Sequence, residues 1–160
     1  MKRFATTLLS IVSITVAIIG CDKDVAIPAA KLIGGPDCFK LAGEYHGVDA
    51  NVLRAIAMSN DPAGQATISR EKNGTVSIGS MGINQVNFRE LSKYDIGPKD
   101  ILDNCKNVYV GAWYLKKKIV QHGNNWHAVG AYRSETPHIR DAYARQIYGV
   151  WRQLTSAQTT

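Results

Sequence analysis

The 160-residue chain contains no run of lysine and arginine interleaved with aromatic residues, the pattern typical of a nucleic-acid-binding surface. It has only four histidines and three cysteines, and none of them recurs at the spacing of metal ligands. It also has no internal repeat and no low-complexity block. We therefore expect no nucleic-acid partner, no metal or other cofactor, and no repeat architecture.

The first 21 residues, MKRFATTLLSIVSITVAIIGC, carry two cations followed by a long apolar run. A positive start, an apolar middle and small residues before Cys21 indicate a secretory signal peptide over residues 1–20. The run is only slightly short for a membrane span, so an uncleaved anchor is the alternative. The letters IIGC resemble a bacterial lipobox, which favours cleavage before Cys21 and lipidation of its thiol. The sequence thus predicts an exported, periplasmic lipoprotein that is anchored to a membrane by its lipid.

Loss of residues 1–20 leaves enough chain for one domain with a single core. Lysine plus arginine then falls from 19 to 17 against 13 acidic residues, since Lys2 and Arg3 leave with the signal. A mildly basic exported domain suits an anionic envelope polymer or a membrane surface, although the same charge also serves solubility. Cys38 and Cys105 remain in an oxidising compartment. A disulfide between them is the simplest outcome, and two separately buried free thiols are the alternative.

The first part of the exported chain predicts a tether and two capped helices. Residues 22–36 combine proline, glycine and small residues without a period, which indicates a tether after the lipid anchor site. Asp37 stands where a helix N-cap belongs, and that helix should end near Gly47. Asp49 is the candidate cap of a second helix, which should end at about Asn60.

The next segment, residues 61–84, is rich in glycine, serine, asparagine and threonine and has no amphipathic period. Such a segment in a compact domain is often a binding loop, and a small hairpin is expected around Asn73-Gly74. A short helix should follow, with Phe88 and Leu91 directed inward. The domain is thus expected to be helical around one irregular loop.

The second half predicts three more helices. Apolar residues from Leu102 to Ile119 recur every three or four positions, which predicts the longest helix, from Asp100 to a C-cap at Gly123. A further helix is expected over residues 125–134. A last helix should begin at about Thr136, with an apolar stripe formed by Ile139, Tyr143, Ile147, Val150 and Leu154. The tail at residues 156–160 should fray.

Four segments resemble one known family in the same order: CFKLAGEYHGVDANVLRAIA, SIGSMGIN, DNCKNVYVGAWYLKKKIVQHGNNWHAVGAY and RDAYARQIYGVW. Together they are similar to the specialised lytic transglycosylases, small lysozyme-like enzymes that cut peptidoglycan and are attached to secretion systems, pili and conjugation machines. The resemblance implies an all-α or mainly helical α+β fold of the lysozyme type, in a single domain over residues 37–155. It also places Cys38 and Cys105 where several members carry a disulfide.

The family carries its catalytic glutamate three residues after the letters AIA. That carboxyl protonates the glycosidic oxygen and then removes the proton from the sugar's 6-hydroxyl, so its pKa must be raised to let it give and take a proton. The third residue after Ala57 in this chain is Asn60. Its amide can hydrogen-bond to the oxygen but cannot deliver the proton. Asp61 is adjacent, but one further residue turns a helical side chain by about 100°.

The resemblance assigns further groove positions, and several depart from the family pattern. The family's DIGLMQIN reads SIGSMGIN here, which puts Ser77 at its acidic residue and Gly82 at its sugar-binding glutamine. A frame shifted by three residues would instead supply Gln85. The family's AYNAG reads AYRSE, which keeps the tyrosine and replaces the asparagine and the glycine. The predicted substrate-binding residues are therefore Met81, Gly82, Asn84, Tyr132 and Arg133.

These departures support three hypotheses. The first, favoured because the apolar framework is intact around an altered groove, is a catalytically impaired envelope protein associated with peptidoglycan and a secretion, pilus or conjugation apparatus. The second is an active lytic transglycosylase that cleaves the MurNAc–GlcNAc bond with a substitute acid, for which the candidates are Asp61, Glu71 and Glu135. The third is a non-catalytic inhibitor or decoy that binds an envelope partner.

Overall fold

The computed structural model describes residues 37–65 and 68–157, so the predicted signal peptide, Cys21 and the tether lie outside the described residues. Over these ranges the chain forms six α-helices, three short strands and three short 3-10 turns. The helices are α1 (Cys38–His46), α2 (Ala50–Asn60), α3 (Phe88–Leu91), α4 (Asn104–His122), α5 (Trp126–Arg133) and α6 (Pro137–Ala157). The strands are β1 (Ile68–Arg70), β2 (Val76–Ile78) and β3 (Ile83–Asn84). This mainly helical arrangement confirms the predicted fold class.

The first two helices begin directly after the aspartates that the sequence indicates. The Asp37 side chain accepts a hydrogen bond from the Lys40 N–H. The Asp49 side chain accepts from two N–H groups in the first turn of α2. α1 ends at Gly47, whose left-handed φ of 64° suits a residue without a Cβ. Both helices therefore follow from capping residues within one turn of their ends.

The start of α4 differs from the prediction. The helix begins at Asn104 rather than at Asp100, because Asp103 has an extended backbone and its side chain accepts a hydrogen bond from the Lys106 N–H. The residues before it form a separate 3-10 turn. Leu102, expected to face inward, is consequently exposed. Asp100 and Asp103 lie close together here, and the hydrogen bond accepted by Asp103 determines where α4 begins.

The last helix also extends further than predicted. α6 continues to Ala157, so the first two residues of the expected tail are helical, and residues 158–160 lie outside the described residues. With 21 residues against the 19 of α4, it is the longest of the described helices. Tyr143 and Ile147 on α6 are buried, whereas Ile139 is exposed. The predicted apolar stripe of this helix is therefore only partly covered by the core.

The irregular segment at residues 61–84 contains an antiparallel sheet with the order β1-β2-β3. The β1–β2 turn is closed by a hydrogen bond from the Glu71 N–H to the Thr75 carbonyl at 2.8 Å. Gly74 occupies the turn with a φ of 83°, a conformation that glycine adopts at little cost. The hairpin expected at Asn73-Gly74 is therefore confirmed.

One apolar core lies between the helices, and its largest fully buried side chains include Leu53, Ile56, Met81, Leu91, Ile101, Leu115 and Ile147. The predicted disulfide is present: Cys38 and Cys105, with Cα atoms 5.4 Å apart, join α1 to α4. None of the helices within the described ranges is long and apolar enough to cross a membrane.

Candidate functional site

A groove opens where the C-terminal ends of α2 and α5 meet the small sheet and α6. It consists of a larger cavity of about 510 Å³ and an adjoining smaller cavity of about 270 Å³. Five residues line both cavities: Asn60, Glu71, Gly82, Arg133 and Tyr143. Aromatic rings and amides complete the wall of the larger cavity, from Asn73, Asn84, Asn87, Tyr114 and Tyr132. The fold therefore brings predicted positions from three separate segments into one groove.

Asn60 is the last residue of α2 and lines both cavities. Its Oδ1 accepts a hydrogen bond from the Tyr143 hydroxyl at 3.3 Å. Burial raises the pKa of Tyr143, so this hydroxyl stays protonated and donates. The amide thus has a defined partner in the groove and no proton of its own to transfer.

Gly82 lies against the Asn60 amide in a left-handed conformation with a φ of 62°. A Cβ at this position would lie 3.0 Å from Asn60 Nδ2. Any side chain here would therefore meet both backbone strain and crowding. The glutamine that the family resemblance expects at this position does not fit the present backbone without rearrangement.

Gly82→Ala is expected to lower the free energy of unfolding by about 2 kcal/mol, since strain and crowding act together. Gly64→Ala is the matched control, because Gly64 has a φ of 65° and no described atom lies within 4 Å of a Cβ built there. The control measures backbone strain alone and should cost about 1 kcal/mol. Denaturant unfolding of both variants measures the difference, and equal costs would refute the crowding by Asn60.

Glu71, in the β1–β2 turn, faces Arg133, the last residue of α5. Arg133 Nη1 and Nη2 donate to Glu71 Oε1 and Oε2 at 3.1 and 2.6 Å, and the Ser77 hydroxyl donates to Oε1 at 2.8 Å. The hydrogen bonds from Arg133, with help from Ser77, hold the pKa of Glu71 below its ordinary value of 4.5 despite partial burial. Glu71 is therefore an anion near neutral pH, and it accepts hydrogen bonds rather than supplying a proton.

The other two candidate acids do not line either cavity. Asp61 caps the end of α2, where its carboxylate accepts a hydrogen bond from the Gln65 N–H at 3.1 Å and the residue is buried. Glu135 instead pairs with Lys118 at 2.5 Å and with His122 at 3.2 Å. Of the three predicted substitute acids, the fold brings Glu71 alone to the groove.

Within the described ranges, no cluster of three or more His, Cys, Asp or Glu side chains is arranged to hold a metal ion.

Met81, a predicted substrate-binding residue, is instead fully buried in the core. Its side chain fills space beside Gly111 of α4, where a Cβ would approach Met81 to 2.7 Å. The Met81 carbonyl accepts a hydrogen bond from the Tyr132 hydroxyl at 2.8 Å. Tyr132 therefore lines the larger cavity and also supports the backbone beneath it, whereas Met81 contributes no side chain to the groove.

The positions of Asn84 and Gln85 distinguish the two alignments of this segment with the family pattern, the ungapped one and the one shifted by three residues. Asn84 lines the larger cavity, and its Nδ2 donates to Thr75 Oγ1 at 2.8 Å. Gln85 Oε1 accepts a hydrogen bond from the Val76 N–H at 2.9 Å and lines neither cavity. The shifted frame therefore brings no glutamine into the groove, and Gly82 is the residue at that position.

Asn107 of α4 is fully buried and fixes the segment between β2 and β3, which forms the groove floor. Its Nδ2 donates to the carbonyls of Ile78 and Ile101 at 3.0 Å each. Its Oδ1 accepts a hydrogen bond from the Met81 N–H at 2.8 Å. A Cβ on Gly79 would lie 2.2 Å from Asn107 Nδ2, so a glycine is required beside the amide.

Sequence reasoning does not identify Tyr143 or Asn107 as parts of this site. It places Tyr143 on the apolar stripe of the last helix and Asn107 inside a segment that resembles the family. One sequence feature could have identified them: each places a polar group at a helix position that faces the core. A buried hydroxyl or amide needs a hydrogen-bond partner, so such a residue must contact another polar group. Only the fold identifies which partner that is.

The Glu71–Arg133 ion pair should make stability depend on pH. Because the folded-state pKa of Glu71 is lowered, its stabilisation is present above the ordinary pKa of 4.5 and is lost as the pH falls through the lowered value. Glu71→Gln should therefore cost up to about 1 kcal/mol at neutral pH and almost nothing in acid. Thermal unfolding at several pH values measures this, with Glu44→Gln in an exposed helix pair as control. A cost for Glu71→Gln that persists in acid would contradict the prediction.

A family model described as the transglycosylase SLT domain matches residues 37–147 of the chain. The X polypeptide of Escherichia coli strain K12 is 33% identical over 129 residues, which cover 76% of each protein. Invasion protein IagB of Salmonella typhimurium strain LT2 is 32% identical over 123 residues, covering 74% of this chain and 77% of IagB. Protein IpgF of Shigella flexneri is 28% identical over 121 residues, covering 72% of this chain and 80% of IpgF. The stretch that the family model matches contains all five residues shared by the two cavities.

Proposed function

The chain belongs to the transglycosylase SLT domain family, and we propose that it is a lytic-transglycosylase-like protein of the cell envelope that binds peptidoglycan without cutting it. The proposed ligand is the glycan strand, and the proposed site is the groove between α2, the small sheet, α5 and α6. The proposed organisation is a signal peptide over residues 1–20, a lipidated Cys21 with a tether to residue 36, and the domain over residues 37–155.

The observation that carries this proposal is the identity of Asn60. Asn60 stands in the groove at the end of α2, where the family resemblance expects the proton-transferring glutamate. Cleavage of the glycosidic bond needs a group that protonates the leaving oxygen, and an amide cannot do so. Among the described residues that line the cavities, Glu71 is the one carboxylate, and its lowered pKa keeps it ionised. The groove thus lacks a proton donor of suitable pKa.

The rest of the groove still suits a carbohydrate. Tyrosine rings and hydroxyls line the larger cavity together with several asparagine amides. Aromatic faces pack against the apolar faces of sugar rings, while amides donate and accept hydrogen bonds with hydroxyl and acetamido groups. A cavity of about 510 Å³ is within the ordinary size range of small-ligand sites. Retained binding groups and a missing acid together support binding without cleavage.

The proposed setting is the bacterial periplasm, at a secretion, pilus or conjugation apparatus. The link to such an apparatus comes from the family resemblance, and the relative IagB is named an invasion protein. The lipobox-like letters before Cys21 support a lipid anchor, and the mildly basic domain supports contact with an anionic envelope. Both features are compatible with a protein that is held at the membrane and reaches the peptidoglycan through its tether.

Incubation with purified peptidoglycan sacculi tests this function. We expect the native chain to cosediment with sacculi and to release no anhydro-muropeptides. Release by the native chain that disappears in Glu71→Gln would overturn the proposal and establish an active enzyme with Glu71 as its acid. Failure to bind sacculi, with capture of an envelope protein instead, would favour the inhibitor or decoy. Glu135→Gln, outside the groove, is the matched control for loss of a carboxylate.

A glutamate introduced at position 60 tests the same proposal, because it should give the groove the proton donor that the native chain lacks. Arg133 is paired with Glu71 beside position 60, and its removal leaves the Glu71 anion in the groove, which would raise the pKa of a glutamate at position 60. Asn60→Glu together with Arg133→Asn, with Gly82 kept, should therefore release more anhydro-muropeptide than Asn60→Glu alone. Asn60→Gln, which matches glutamate in size, should release none. Equal release from the glutamine variant would show that position 60 does not carry the missing acid.

A further inference from the structure

An ion pair joins the β1–β2 turn to the end of α5 where the two cavities of the groove adjoin. Glu71 belongs to the β1–β2 turn and Arg133 to the end of α5, and they are 62 positions apart in the chain. Both residues line the larger cavity and also the smaller one. Asn60, Gly82 and Tyr143 also border both spaces, so the pair is the charged part of a five-residue boundary between them.

The ion pair, called the bridge below, is held by two hydrogen bonds between the side chains and not by a single exposed contact. Two parallel hydrogen bonds join the guanidinium to the carboxylate, at 3.1 and 2.6 Å, which is the bidentate form of this interaction. The Ser77 hydroxyl holds the same carboxylate from the sheet side. The Arg133 side chain is 41% exposed and that of Glu71 21%, so the bridge lies towards solvent. Buried Tyr143, by contrast, borders both cavities from the interior.

A continuous polymer lying along both cavities would have to pass through the position of the bridge. A chain end or a short fragment could instead enter the larger cavity from one side and stop there. The larger cavity has the space for such a ligand, and it holds the tyrosine and asparagine groups suited to sugars. An ion pair in this position would admit the end of a strand and exclude its middle.

We propose that the Glu71–Arg133 ion pair is a clasp that closes the groove to continuous glycan strands, so that the larger cavity binds glycan chain ends or short fragments. This inference rests on the proposed function, because it assumes that the groove binds glycan. The selectivity arises from steric closure and not from recognition of a different sugar. Removal of either side chain opens the passage between the two cavities.

The stoichiometry of binding to glycan strands of defined length tests the clasp. Peptide-free strands of several lengths are titrated with the full chain in a calorimeter, beside a disaccharide-length fragment of the same sugars. The native chain should bind the fragment, and the number of chains bound per strand should not increase with strand length. Glu71→Ala should bind several copies per strand, in a number that rises with length. Arg133→Ala should also bind several copies per strand. Agreement between the two variants would show that the effect comes from loss of the ion pair and not from misfolding of one variant.

Glu135→Gln is the matched control, because it weakens an ion pair outside the groove and should keep the native stoichiometry. A native stoichiometry that rises with strand length would overturn the clasp while leaving glycan binding in place. Unchanged stoichiometry in both Glu71→Ala and Arg133→Ala would also overturn it. Absence of binding to every strand and to the fragment, in all variants, would overturn the proposed function and the clasp together.

Discussion

Cys38→Ala together with Cys105→Ala is expected to lower the free energy of unfolding by about 4 kcal/mol. The disulfide joins residues separated by 67 positions, and the segment between them contains α2, the small sheet and the floor of the groove. A crosslink across so long a loop removes much of the conformational freedom of the unfolded chain. Loss of two sulfur atoms changes the folded core much less, so most of the cost should arise in the unfolded state.

Denaturant unfolding of the native chain and the double variant measures this cost, and it should correspond to a fall in melting temperature on the order of 10–20 °C. Cys38→Ala alone should cost about as much as the double variant, since one missing thiol already abolishes the bond. Reduction of the native chain should reproduce the effect without any substitution. A cost below about 1 kcal/mol would mean that the crosslink adds little to a domain already held by its core.

Asn107→Leu is expected to cost about 3–5 kcal/mol, although leucine has nearly the same shape as asparagine. The substitution leaves three buried backbone groups without partners, and each orphaned group costs about 1–3 kcal/mol. These are the carbonyls of Ile78 and Ile101 and the N–H of Met81. Met81 belongs to the segment that forms the groove floor and Ile78 directly precedes it, so glycan binding should weaken together with stability.

Asn104→Leu is the matched control, because Asn104 lies one helical turn before Asn107 on α4, is exposed, and accepts a hydrogen bond from the Ser80 hydroxyl. It should cost about 1 kcal/mol, because it leaves a single hydroxyl, that of Ser80, and no backbone group without its partner. Asn107→Asp separates shape from donor capacity, since a carboxylate cannot donate to the two carbonyls. Thermal unfolding and sacculus cosedimentation of the three variants test both effects. Equal costs at positions 104 and 107 would contradict the role of the buried amide.

Much of the fold was readable from the sequence because its signals are local. Asp37, Asp49 and Gly47 act on backbone groups within one helical turn, and Asn73-Gly74 needs only its own turn geometry. The start of α4 differs from the prediction because Asp100 and Asp103 are both candidate N-caps within a few residues. The helical fold class and the pairing of the two domain cysteines followed from periodicity, compartment and family resemblance together.

The groove was only partly readable, because its contacts join residues that are distant in the chain. Asn60 meets Tyr143 across 83 positions, and the Tyr132 hydroxyl meets the Met81 carbonyl across 51. No local pattern distinguishes an acid that faces the groove from one that faces solvent. Glu71 therefore could not be separated from Asp61 and Glu135 without the fold.

The sequence by itself determined that the expected glutamate is an asparagine, since residue identity at a motif position needs no coordinates. Only the tertiary structure decided what surrounds that position: a tyrosine hydroxyl on Asn60, a left-handed Gly82 against its amide, and the Glu71–Arg133 pair across the groove. The physical reason is that covalent order sets which groups exist and how each short stretch folds. The distances between groups on different elements are set by how the core packs.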